Sequence, residues 1–371
     1  MKIESVRLLP YRLRLRDPWS TAEGPVTERE GVLIALEDSH GRIGLGDAAP
    51  LPGFGLETLG SCTAALRGAA RRLVGLPEES YLEGAANLTH LAPVAATPAA
   101  RHAVDLALHD LAARAADRSI AALLGGAAAL DAVPANAVVP RVAPERAAAL
   151  AREAVEAGAR VLKLKVGGAP LAEDLARVRS VRQAVGGDIA IRVDANQAWS
   201  EEEALAAMAA LRVYEIEYVE QPVHATNLRA LARLRREGGV TVAADESVTD
   251  LRAARRLLDA GAADVLVLKP MVLGGLYASR QIASLAAERG VRVVVTSLVE
   301  SAVGRTGALH LAASLGPAPH AHGVATGSAL AEDVADAPRM ERGMLRLPAG
   351  PGLGIAMDPA RWKDAALVEA A

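Results

Sequence analysis

The chain has 371 residues, 51% of them hydrophobic and only 2% aromatic, with a formal net charge of −3. That balance gives no global attraction to nucleic acid or to an anionic membrane, and a single cysteine, Cys62, excludes an internal disulfide framework and points to a reducing compartment. The first residues, MKIESVRLLPYRLRLRD, are broken by charge throughout, and no run is long and apolar enough to span a bilayer. A soluble, cytoplasmic protein acting on a small molecule is expected.

Residues Lys2 to Arg16 alternate like an edge strand, and Gly31 to Asp38 and Gly41 to Asp47 read as a strand pair. Between them, Trp19 to Glu30 reads as a polar loop. Leu56 to Val74 and Thr97 to Leu124 carry Ala/Leu helical spacing, with Thr97 before Pro98 as a candidate N-cap. Three strands followed by helices make an α+β domain of about 100 residues. The chain's one phenylalanine, Phe54, falls in the Gly/Pro loop LPGFG, where it would serve as a lid over a pocket or as a plug beneath the loop.

From Pro134 the pattern changes. Asn136 to Val139 reads as a short strand and Ala143 to Ala157 as a helix closed by Gly158. Five apolar runs follow, VLKLKVG, RVDAN, YVEQP, AADES and VLVLKP, each ending on a charge where helical sequence resumes. Their spacing of roughly 25 residues is that of a strand-plus-helix unit. Helix Leu276 to Glu288, a strand from Val291, helix Val303 to Leu315 and a last short strand His322 to Thr326 complete eight strands. The expected fold is α/β, a modified TIM barrel (β/α)7β over residues 131–330. An α+β capping domain over 1–130 precedes it, and a C-terminal return segment, 331–371, packs on the cap.

The charges at the run ends are Lys165, Asp194, Glu220, Asp245 and Lys269. Three carboxylates from neighbouring strands would gather hard oxygen ligands at one point, which suits Mg²⁺ or Mn²⁺. Without a cation they would repel one another strongly. Lysines on the flanking strands would then face each other across the metal, an arrangement for removing a proton beside a carboxylate. The chain has 41 Lys+Arg, yet its lysines are only Lys2, Lys163, Lys165, Lys269 and Lys363. Arginine keeps its proton at accessible pH and lysine can surrender it, so lysines concentrated at strand ends mark places where an exchangeable amine is needed. Lys163, on the same strand face as Lys165, is expected to depress the pKa of Lys165 by like-charge repulsion.

KLK, DAN, VEQP, ADES and LKP in this order resemble the enolase superfamily and, within it, the muconate-lactonising branch. That resemblance covers nearly the whole chain. It implies Asp194, Glu220 and Asp245 as Mg²⁺ ligands, Lys165 and Lys269 as acid/base groups on opposite faces of the substrate, and Lys163 and Asn196 as supporting residues. The stretches TAEGPVTEREG, PLPGFGLET, LKPMVLGGL, TSLVESAVG and HGVATG are similar to the o-succinylbenzoate synthase group, the dehydratases of menaquinone biosynthesis. Dipeptide epimerases of the branch carry an Asp-x-Asp at the end of the eighth strand, and Gly323 to Gly327 has no acid pair. The resemblance thus implies a synthase, with N-acylamino acid racemase as the alternative and muconate cycloisomerase or dipeptide epimerase behind it. Thr21, Phe54, Ser297, Glu300 and Thr326 are candidate substrate contacts, Glu300 serving either to orient a lysine or to hold structure. An Ala/Leu-rich barrel is also compatible with a homo-oligomer.

Overall fold

Alternation in the first fifty residues builds an antiparallel sheet. In the computed structural model, which describes all residues except 22–23, 52–54, 56, 319, 358–364 and 370–371 and no side chains at 19–21, 24–25 and 368–369, β1 (Ile3–Thr21) and β2 (Gly24–Asp38) form one long hairpin. The loop expected at Trp19 to Glu30 is therefore mostly strand, with Trp19 paired to Val26 and Thr21 to Gly24. Its composition misled because a two-stranded ribbon satisfies its backbone across the hairpin and needs no apolar face there. β3 (Ile43–Ala48) pairs with β2.

One face of this sheet, with Ile3, Val6, Ile34 and Leu36, packs on α1 (Leu59–Leu73) and on α4 (Pro98–Ala115), which follows the short α2 (Tyr81–Ala86) and α3 (Ala92–Ala95). The approach of α4 to β3 requires glycine, since a Cβ on Gly46 would lie 1.8 Å from the Ala103 carbonyl oxygen. The helix expected over Thr97 to Leu124 is interrupted: Asp117 takes φ 50°, and Ser119 caps a separate α5 (Ile120–Gly125), accepting from Ala122 N–H at 3.1 Å. Thr97 occupies the N-cap position of α4 without capping it. Its hydroxyl donates back to Val94 O, and the Glu57 carboxylate accepts the Ala99 N–H at 3.1 Å instead. A longer acidic side chain from another segment reaches the exposed N–H groups that the Thr97 hydroxyl turns away from.

After β4 (Ala132–Pro134) comes a seven-stranded parallel sheet. Its strands are β5 (Ala137–Val139), β6 (Val161–Lys165), β7 (Ala190–Asp194), β8 (Ile216–Glu220), β9 (Val242–Ala244), β10 (Val265–Leu268) and β11 (Arg292–Val295), adjacent in chain order. Between them run α6 (Pro144–Glu156), α7 (Leu171–Val185), α8 (Glu201–Leu211), α9 (Leu228–Glu237), α10 (Leu251–Asp259), α11 (Pro270–Leu273) and α12 (Leu276–Glu288), and α13 (Ala302–Ser314) follows. Strand period two sorts the side chains. Leu162, Leu164, Ile191, Val193, Val219, Leu266 and Leu268 pack outward on the helices, while Tyr218, Ala243, Val265, Val267 and Val294 fill the interior.

The expected eighth strand is reduced to two residues. His322 bonds to the backbone of Pro134 and Asn136, and Gly323 to that of Val295 and Ser297, which closes the curl between its first and last strands. Gly323 lies so tight on Thr296 that an added Cβ would stand 2.4 Å from the Thr296 hydroxyl oxygen. Past this contact the backbone leaves pairing for a 3-10 turn at Thr326–Ala329. In the tail, β12 (Met344–Arg346) pairs with β4, and β13 (Ala366–Glu369) adds to the free edge of β1. Among the described residues, no helix is long and apolar enough to cross a membrane.

Candidate active site

Parallel register places the five charges in a row. Lys165 ends β6 opposite Asp194, which ends β7 opposite Glu220 at the end of β8. Asp245 and Lys269 each stand one residue beyond β9 and β10. Because interior and exterior positions alternate, all five share the inward face at the C-terminal mouth of the strands. The three carboxylates are buried, with Asp194 fully enclosed.

Lysines bind this row at three points. Lys163 Nζ donates to Glu220 Oε1 at 2.7 Å and lies 2.9 Å from Asp194 Oδ2. Lys165 Nζ donates to Asp194 Oδ2 and to Asn196 Oδ1, both at 2.7 Å. Lys269 pairs with Asp245. Lys163 does not act on Lys165 by bare repulsion, because Asp194 Oδ2 stands between the two ammonium groups and attracts both. Burial alone would lower the Lys163 amine, but Asp194, Glu220 and Asp245 hold it above its usual range. Burial and the negative charge of Asp194 push Glu220 up to about 7. Asp194, which burial alone would raise, is held below the ordinary carboxylate range by Lys163 and Lys165.

Among the described residues, no three acid, His or Cys side chains are grouped as a metal cluster, each carboxylate turning instead to a lysine. Their chemistry nevertheless suits a hard cation. They are buried oxygen donors on successive strands, two of them already converge on one positive group at Lys163, and burial with the adjacent Asp194 charge raises Glu220 despite that contact. Counting Glu246 beside them, four carboxylates face three lysines, so the set keeps an excess of negative charge that a divalent cation would offset.

Sequence reasoning passed over the residues that hold this row. Gln221, fully buried at φ 37°, accepts the Asp245 and Ser247 N–H groups on Oε1 and donates from Nε2 to Val223 O. It fixes where the ADES segment leaves its strand, and its only signal was its place directly after Glu220. Glu246 accepts from Asn196 Nδ2 at 3.1 Å. A cavity of about 320 Å³ opens beside Lys269 and Asp245, with Gly55 from the cap and Gln197, His224 and Thr249 on its wall.

Of the candidate substrate contacts, Ser297 and Thr326 are brought together, their hydroxyls 2.7 Å apart at the barrel mouth. Glu300 is buried between cap and barrel, where it accepts the Leu298 N–H and its carbonyl accepts from Arg305 Nη1. Thr21 closes β1 with its side chain outside the described residues, and Phe54 lies outside them altogether.

Comparison with known proteins agrees with this geometry. Residues 146–361 match the enolase C-terminal domain-like family, and residues 3–125 match the mandelate racemase/muconate lactonizing enzyme N-terminal domain. The o-succinylbenzoate synthase of Thermobifida fusca is 43% identical over 210 residues, which cover 56% of this chain and 64% of that protein. The structure of N-succinyl Arg/Lys racemase from Bacillus cereus superposes with TM-score 0.91 at 27% identity, covering 100% of both chains. A dipeptide epimerase from Enterococcus faecalis, solved with Mg and the dipeptide L-Leu-L-Tyr, gives 0.88 at 30% identity over 96% of this chain and 100% of that one. With both domains matched and these strand-end charges in one row, the chain belongs to the mandelate racemase/muconate lactonizing branch of the enolase superfamily.

Proposed function

We propose that the chain is an o-succinylbenzoate synthase, dehydrating 2-succinyl-6-hydroxy-2,4-cyclohexadiene-1-carboxylate by removal of the proton α to its ring carboxylate. The observation that carries this reading is the 43% identity to the Thermobifida synthase over 210 residues, 56% of this chain, while the racemase and epimerase structures match nearly the whole chain at 27% and 30%. The mouth of the barrel supports it, because Gly323 to Gly327 contains no acid to hold a substrate ammonium.

In this reading Lys165, the most exposed of the three site lysines, is the base. As a neutral amine it keeps two N–H groups for Asp194 and Asn196 and turns its lone pair to the substrate. The ring proton passes to Lys165 Nζ and the C–H electron pair enters the carboxylate as an enediolate. That pair then forms the new ring double bond as the neighbouring C–O bond breaks. The Lys165 ammonium gives its proton to the departing oxygen, so water leaves and the amine is restored. Lys269, buried against Asp245, stays protonated and faces the developing charge. Asp194, Glu220 and Asp245 would hold a divalent cation, which supplies further positive charge against the enediolate.

A second reading, N-acylamino acid racemase, is supported by the full-length superposition on the N-succinyl Arg/Lys racemase. Lysines at opposite ends of the carboxylate row could exchange an α-proton from either face. The test is loss of the cyclohexadiene chromophore with purified protein and Mg²⁺, beside a chelator control and Lys165→Ala. Chelator-sensitive turnover that disappears in the variant is expected. No turnover from folded, metal-replete protein, with α-proton exchange into D₂O on N-acylamino acids, would replace the first reading by the second.

A further inference from the structure

We infer that Glu246 is a positioning residue for Lys165, acting through Asn196 to set the direction in which the amine is presented. The inference rests on Lys165 being the base of the proposed reaction. Three strand ends take part. Lys165 on β6 donates to Asn196 Oδ1 at 2.7 Å, and Asn196, just past β7, donates from Nδ2 to Glu246 Oε1 at 3.1 Å, just past β9. The Asn196 N–H returns to Asp194 Oδ1 at 3.0 Å. Asn196 and Gln197 both have positive φ, 43° and 68°, an uncommon backbone state for residues with a Cβ. Gln197 is held there by the Ala225 N–H on its side chain and by Gln221 O on its backbone.

The amide at position 196 has one allowed orientation. The Lys165 ammonium can only donate, and the neutral amine has its lone pair turned to the substrate, so in both forms the amide oxygen faces Lys165; a carboxylate without a proton can only accept, so the amide nitrogen faces Glu246. Aspartate at 196 would reach Lys165 equally well but would set a second negative oxygen against Glu246. The order ammonium, amide, carboxylate therefore explains why an amide stands between two charged groups. It also aims the base. A tetrahedral amine nitrogen with two N–H groups on fixed acceptors, Asp194 Oδ2 and Asn196 Oδ1, has its remaining vertex determined. Glu246 holds the second of those acceptors. Among the described residues its other oxygen, Oε2, is buried with no hydrogen-bond partner, so none of them diverts it from Asn196.

The test uses the polarity of the relay. Glu246→Ala and Asn196→Asp should each lower kcat on the cyclohexadiene substrate by about 100-fold, the cost of misplacing a reacting group by an ångström, with KM nearly unchanged. Glu246→Gln can turn its amide oxygen to Asn196 and should stay within a fewfold of the parent. The double variant Asn196→Asp with Glu246→Gln restores one donor facing one acceptor and should recover most of the rate lost in Asn196→Asp. A second measurement needs no turnover: acetylation of Lys165 by N-hydroxysuccinimidyl acetate, read by peptide mass spectrometry against exposed Lys2. Lys165 should acetylate severalfold faster in Glu246→Ala and at the parental rate in Glu246→Gln. A double variant as slow as Asn196→Asp, or unchanged Lys165 acetylation in Glu246→Ala, would overturn the relay. Faster acetylation in Glu246→Ala with no cyclohexadiene turnover in any variant, parent included, would uphold the relay and remove the synthase reading.

Discussion

The barrel interior holds two ionic groups, one above the other, built from different residues. At the mouth, Lys163, Lys165 and Lys269 meet Asp194, Glu220 and Asp245. Two residues below Asp194 on the same face, fully buried Arg192 donates to Glu217 Oε2 at 2.6 Å and to Ala321 O at 2.7 Å, with its guanidinium 4.7 Å from the Tyr218 ring centre. His320 joins the same carboxylate and meets Tyr218 edge-on. Burial alone would raise Glu217, but its bonds to His320 and Arg192 bring it down to about 2. The floor therefore carries a charge that does not move, on a planar fork that fills several acceptors at once. The mouth carries its positive charge on lysine ammonium groups, and in the proposed reaction one of them, Lys165, exchanges its proton.

The largest effect should come from erasing that difference at the mouth. Lys165→Arg keeps the charge and removes the exchangeable proton, and turnover should fall about 10³-fold with a near-parental melting temperature. Lys269→Arg sharpens the comparison. If Lys269 serves only as an ammonium, its replacement should cost much less than that at Lys165, whereas equal losses would indicate that both lysines exchange protons. At the floor the loss should be one of stability: Arg192→Met leaves Glu217 without its guanidinium and should cost about 3–5 kcal/mol in urea unfolding at an unchanged m-value. A denaturation midpoint equal to the parent's would show that the floor pair does not hold the barrel.

Acid should weaken the barrel closure at His322 and the packing around His310 on α13 before it reaches the Glu217 pair. Burial lowers buried His310 and His322 to about 4 from the ordinary 6.5, and His322 Nδ1 accepts the Val295 N–H, which requires a neutral ring. Their folded values lie below their unfolded values, so the unfolded chain takes up protons first as pH falls. Stability should thus decline from pH about 6.5 to about 4 and then level with respect to these groups. Glu217, also depressed on folding, contributes stability above its unfolded value that is lost as pH falls through about 2. Glu220 and Asp47, raised to about 7, take up protons first in the folded chain and oppose the histidine decline in the same window. The check is therefore the parent's melting curve against that of His310→Gln from pH 7 to 4, and equal slopes would contradict the histidine assignment. The smallest effect belongs outside the barrel interior. Ser200 caps α8 in a capping box with Glu203, and Ser200→Ala should cost about 1 kcal/mol of stability with turnover unchanged.

Much of this was legible because barrel strands are short, buried and periodic. Alternation of Lys163, Lys165, Arg192, Asp194, Tyr218 and Glu220 with leucine, isoleucine and valine assigns each side chain to a face before any contact is known. Regions that do not depend on burial were less legible. The hairpin through Trp19 to Val26 pairs backbone to backbone and leaves no apolar signature. The eighth strand pairs only at His322 and Gly323, because past them the backbone enters a 3-10 turn, and Thr97 was displaced as a cap by Glu57, which lies forty residues away.

The sequence by itself determined the layered α/β architecture and the residues at the strand ends, because strand period and charge placement are local properties of a chain. Tertiary structure decided how those residues are partnered. That Asp194 lies between two lysines, that Gln221 rather than any strand residue sets Asp245, and that Glu246 reaches Lys165 through one amide depend on the register of β6 to β9 and on left-handed turns at Asn196, Gln197 and Gln221. These are contacts between segments distant in the chain, and a hydrogen bond exists only where two such segments bring a donor to an acceptor within about 3 Å.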